Sequence, residues 1–200
     1  MRTLLFLLPL ISTLALAQST APPKITTAQN GRVTNYRAEG SLESTQAIGC
    51  IPLAKARNTF TPPDLYSGVA ECVTRDNYDF AAALFALAGM YASFDAERVS
   101  DRSAGQAKTV LVMNTFANLP EDKKTKFNAT LNRIAKSPEF LGKLCGDVRK
   151  VGKPDYYPKY MILHGMNAFT GNPNDGALLK DFDSQKAWMN LQAAYLHCPA

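Results

Sequence analysis

The 200-residue chain has few of the residues and patterns by which enzymes usually declare themselves. It holds only two histidines, His164 and His197, and neither accompanies a nucleophile motif. No glycine-rich phosphate loop, GxSxG elbow or HExxH helix occurs, so nucleotide, α/β-hydrolase and zinc-protease chemistry lack support. A zinc site needs Cys or His ligands closely spaced on one face. The one near pair, His197-Cys198, is adjacent in sequence and points apart on a helix, so no metal or cofactor is expected. Long apolar runs are also missing from the interior. The charge-free stretch from Phe80 to Phe94 is 15 residues, short of the ~20 that a membrane-spanning helix needs.

The chain opens MRTLLFLLPLISTLALA, with Arg2, an apolar run from Leu4 to about Leu14, and Ala15-Leu16-Ala17 as a small-x-small step. This pattern predicts a signal peptide over residues 1–17 and a periplasmic or secreted protein without a transmembrane span. Without Arg2 the remainder carries 21 Lys and Arg against 17 Asp and Glu, a formal charge of +4. Its basic residues are scattered and lack interleaved stacking aromatics, which argues against nucleic-acid binding. Four cysteines, an even count in an exported chain, predict two disulfides. Of the three pairings, Cys50–Cys72 and Cys145–Cys198 are favoured. The first closes a local loop, and the second ties the C-terminal helix to the body.

Residues 18–44 read as an extended polar leader, interrupted by Pro22-Pro23 and Asn30-Gly31, with a short strand around Arg32 to Tyr36. Asn30-Gly31 is a pair able to close a hairpin, but the residues flanking it do not alternate. Residues 45–200 read as a single helical domain. Pro62-Pro63-Asp64 opens a helix carrying Leu65, Val69 and Cys72 on one stripe, and Asp76 is placed to cap the next. That second helix is apolar on most of its circumference and so belongs at the centre, before an acidic turn at Asp95 to Asp101. Further helices are expected over Val99 to about Ala117, after Pro120, after Ser137-Pro138, from Tyr156 to Phe169, and from Ser184 to His197. The expected fold is all-α, an irregular bundle of about seven helices braced by the disulfides.

Tyr78, Ala81, Phe85 and Ala88 take the spacing of packing residues in a tetratricopeptide-type second helix. The following LAGMYASFDAERVSDRSA, Leu87 to Ala104, resembles the Sel1-like variant, giving a repeat-type hairpin around residues 65–107. The resemblance implies a scaffold that offers a groove to another protein.

Two places invite a functional reading. The tyrosine-rich run Asp155 to Tyr160 leads to His164, so Tyr157, Tyr160 and His164 share one helical stripe as a recognition face, with Asp95 and Arg98 as rim charges. Asp76, Asp95, Glu97 and Asp101 supply the carboxylates that a glycan hydrolase would need, although acids at helix ends are ordinary caps. The preferred function is an exported, non-catalytic protein-binding module, such as a periplasmic immunity protein that occludes a toxin. A small envelope hydrolase and a structural accessory of an envelope complex are the alternatives. Mass analysis without reduction should find no alkylatable thiol in the purified protein. Two free cysteines would remove one bridge and weaken the case for an oxidising compartment.

Overall fold

The computed structural model describes residues 22–171, 173 and 176–199, and the expected signal peptide lies outside them. Among the described residues the fold is mainly helical rather than all-α. Eight α-helices and two 3-10 turns accompany one two-stranded antiparallel sheet. The sheet corrects the reading of an extended leader. Strands β1 (Ile25–Asn30) and β2 (Val33–Ala38) pair with Ile25 opposite Ala38 and Asn30 opposite Val33, leaving a two-residue loop. Gly31 begins that loop at φ 60°, a conformation that glycine adopts without strain. Alternation is weak in these strands because both faces of the hairpin are largely exposed, so no buried face dictates it. Only the end of β2 goes inward, where Ala38 packs with Leu163 and Ala168.

Helix α1 (Pro62–Thr74) and helix α2 (Tyr78–Arg98) form an antiparallel hairpin. The cap between them is one residue later than expected. Asp76 takes φ 59° to end α1, and the Asn77 side chain accepts the Phe80 N–H. Helix α2 runs through the centre with Leu84, Leu87, Ala88, Met90 and Tyr91 fully buried. No helix among the described residues is long and apolar enough to cross a membrane. Around α2 lie α3 (Ala107–Ala117), α4 (Glu121–Ile134) and α5 (Pro138–Val151). Two short helices follow, α6 (Lys159–Ile162) and α7 (Asn167–Thr170), and α8 (Ser184–Ala194) closes the bundle.

Four helix limits differ from the expectation, the simplest being α8, which ends at Ala194 and not at His197. The turn placed at Asp95 to Asp101 begins only after Arg98, so α2 keeps Asp95 inside its last turn. The helix expected from Val99 starts with an isolated bridge to Leu178 and a 3-10 turn at Arg102–Gln106, then becomes regular at Ala107. The helix expected over Tyr156 to Phe169 is broken into α6 and α7 at Leu163 to Met166. Both disulfides take the favoured pairing, Cys50–Cys72 at the end of α1 and Cys145–Cys198 between α5 and the C-terminal segment. Each contributes roughly 2–4 kcal/mol, mainly by restricting the unfolded chain.

The segment before α1 is secured by Asp64, a residue read from sequence only as part of a helix start. Its buried carboxylate accepts the Ser44 hydroxyl and the Thr45 and Gln46 amides on one oxygen, and the Thr61 amide and hydroxyl on the other. One side chain thus caps α1 and pins a loop about twenty residues upstream. Asp64→Ala should lower the unfolding free energy by about 3 kcal/mol, because five hydrogen bonds to one buried carboxylate are lost together. Urea denaturation measures this, and a loss below about 0.5 kcal/mol would show that the network adds no net stability.

Candidate functional site

Helical spacing from Phe94 carries Asp95 and Arg98 onto the inner side of the last turn of α2, where the chain 156–160 crosses it. Asp95 is completely buried. Arg98, with 13% of its side chain exposed, meets one carboxylate oxygen at 2.8 Å through Nε and at 2.7 Å through Nη2. The Tyr156 and Tyr160 hydroxyls donate to the other oxygen at 2.9 and 2.8 Å. Arg98 also donates to the Tyr156 carbonyl and lies over the Phe94 and Tyr156 rings at 5.2 and 5.3 Å. Burial pushes the Asp95 carboxyl upward, while Arg98 and both hydroxyls favour its ionised form. The tyrosines shift in the same direction. Burial, reinforced by Asp95, holds both hydroxyls well above their ordinary range.

This geometry corrects the expected recognition face. Asp95 and Arg98 are an internal ion pair, not rim charges, and Tyr160 is 3% exposed with its hydroxyl turned inward. Tyr157 is half-buried. Nor do the acids near the end of α2 converge. Asp76 meets Lys123 and Tyr78 at the far end of that helix, and Glu97 is exposed. Asp101 accepts the Asn167 and Ser103 amides and the Ser103 hydroxyl, tying the 3-10 turn to α7.

His164 faces Ser41, with Nδ1 3.3 Å from the hydroxyl. Arg37 donates to the Ser41 carbonyl at 2.7 Å, and Leu42 donates to the Tyr160 carbonyl at 3.1 Å. His164 therefore sits where the hairpin docks on the body. Burial, then the Arg37 charge, lower its pKa from the ordinary 6.5.

The feature that sequence reasoning missed is an apolar trench beside α2. Ala82, Phe85 and Ala86 floor a hollow of about 340 Å³ walled by Leu131 and Ile134 of α4, Leu141 of α5, and Tyr195. Phe85 and Tyr195 lead into a second hollow of about 300 Å³ over Gly89, with Lys108, Val112 and Met113 of α3 opposite. Residues 82, 85, 86 and 89 share one helical face. Tyr195 crosses the trench with its hydroxyl against Gly89, where any Cβ would collide with it. Tyr195 and Met113 are 40% and 64% exposed, leaving an open apolar surface flanked by helices. No sequence signal separates this face from the rest of α2, because the neighbours decide which apolar residues stay uncovered.

Protonation of His164 should loosen the hairpin. A histidine with a lowered folded pKa favours the neutral form, so docking loses stability as pH falls below about 6.5. Protection of the Leu42 amide against hydrogen exchange, corrected for the intrinsic rate, should drop between about pH 7 and pH 5. His164→Gln should remove that drop. Equal corrected protection of the native protein at both values would overturn the assignment.

Comparison with known proteins finds no matching family model, no matching curated protein and no matching solved structure.

Proposed function

We propose that the chain is an exported, non-catalytic protein-binding module, and that the trench beside α2 is its recognition surface. The observation that carries this reading is the open pair of apolar hollows sharing Phe85 and Tyr195, flanked by α3, α4 and α5. Exposed apolar surface of this kind costs solubility unless something covers it. Rigid walls keep that cost low at the moment of binding. Helices form both sides, and the Cys145–Cys198 bridge secures the segment that holds Tyr195.

The Sel1-like resemblance over residues 65–107 implies the same kind of role, a helical scaffold that receives another protein. The sequence pattern at residues 1–17 and the two disulfides are in keeping with delivery to the periplasm or the exterior. An immunity protein that covers a toxin's active site is the concrete form proposed here, acting by occlusion over ~800 Å² per partner.

The test is affinity capture with the oxidised product of the full-length sequence, offered to envelope fractions and to the products of neighbouring genes. One stoichiometric partner that survives moderate salt is expected. Ala135→Trp and Met113→Glu change exposed residues lining the two hollows, and each should weaken capture at least about tenfold, ~1.4 kcal/mol. Capture unaffected by both would move the surface elsewhere. No partner at all, with turnover of cell-wall material by the protein alone, would sink the module reading.

A further inference from the structure

We infer that the trench receives an amphipathic helix whose outer face is acidic; this rests on the binding-module reading above and names the chemistry of its partner. The first support is charge. Residues 121–153, which hold the α4 and α5 wall, carry nine lysines and arginines against four aspartates and glutamates. Asp76 and Asp79, outside that segment, answer Lys123 and Arg133, and the layer still keeps three positive charges. The rest of the chain beyond residue 17 has twelve basic residues against thirteen acidic ones. The positive excess thus lies in the segment that supplies two of the trench walls. At its two ends Lys136 follows Ala135, a lining residue, and Lys108 lines the hollow over Gly89. An acidic partner is steered toward this layer, whereas a basic one is repelled.

The second support is backbone chemistry. The floor and walls are almost wholly apolar, and among the described residues no sheet edge borders them. An extended peptide laid there would leave amide and carbonyl groups facing hydrocarbon, a cost that a helix avoids because its backbone bonds are internal. Length agrees as well. From Ala82 to Gly89 the floor runs about 10 Å along α2, room for the anchors of about two helical turns. Two joined hollows suit anchors about one turn apart on the guest, with Tyr195 between them. A lone acyl chain would fit less well, because these hollows open to solvent along their length and would leave much of it wet.

The probe is a capped synthetic peptide of about 14 residues, ~21 Å as a helix, with leucines at i, i+4 and i+7 and glutamates on its outer face. Two controls accompany it: the same composition shuffled to destroy the stripe, and the same stripe with lysines replacing glutamates. Titration calorimetry on the intact oxidised protein should show the acidic peptide binding at least about tenfold tighter than either control. Its affinity should fall with added salt. Ala135→Trp should remove binding, and Lys108→Glu with Lys136→Glu should cost at least about tenfold while raising affinity for the lysine peptide. Circular dichroism of each variant verifies the fold.

Equal binding of the shuffled peptide would overturn the inference. So would saturable binding of phosphatidylglycerol vesicles, sensitive to the same lysines, in place of the peptide. A trench-dependent dimer seen by sedimentation, abolished by Ala135→Trp, would assign the surface to a second copy instead. A partner captured as proposed above yet not displaced by the acidic peptide would defeat this inference and leave the module reading standing. Peptide binding with no captured partner and with turnover of cell-wall material by the protein alone would uphold the trench chemistry and sink the module reading.

Discussion

A carboxylate sealed from water must find its donors inside the protein, and most of this fold can be traced from how Asp95 finds them. Its partners come from two directions, Arg98 one turn ahead on α2 and two tyrosine hydroxyls some sixty residues downstream. Losing one partner of such a buried pair costs about 3–5 kcal/mol, so the crossing of α2 by residues 156–160 is held tightly. Position then propagates outward. The Tyr160 carbonyl, fixed by that crossing, takes the Leu42 amide, and the docked end of the hairpin follows with Ser41 against His164. On the other side, the backbone of Arg98 accepts the Leu179 amide and Ser100 donates to Ala177, bringing in the chain that leads to α8. Trp188 of that helix then packs on Tyr91 and Phe94, one turn or less from Asp95.

Local signals were legible in the sequence, and distant ones were not. The starts of α1 and α5 follow from proline at the first turn and a hydroxyl just before it, which act over three or four residues. Disulfide pairing followed from loop length and from the reach of the C-terminal helix. Asp95 could not be told from Glu97 or Asp101, since each is an acid in one charged run and only the fold distinguishes them. Burying it required Tyr156 and Tyr160, and a helical pattern across residues 156–169 hides the break at Leu163 to Met166. The hairpin is poorly marked for the opposite reason. With both faces wet, its strands carry no alternation, and only Asn30-Gly31 marked it.

Core and open apolar trench share one helix. Helix α2 turns Leu84, Leu87 and Tyr91 inward and leaves Phe85 and Ala86 partly open beneath Tyr195. An aromatic cluster underlies this arrangement, with Phe85 edge-on to Tyr66 at 5.7 Å and to Phe127 at 5.8 Å. Such edge contacts hold the ring upright at the trench floor. A change at Phe85 therefore disturbs both the core and the trench floor, whereas changes at Ala135 and Met113 alter the trench alone, because those side chains are exposed.

The two disulfides join the first cysteine to the second and the third to the fourth, with no interleaving. A chain that emerges from its N-terminus presents Cys50 and Cys72 long before Cys145 appears. An oxidase that links cysteines in order of arrival makes both native bonds directly. Each bond closes a loop that contains no other cysteine, so oxidation by that route leaves nothing for an isomerase to reshuffle.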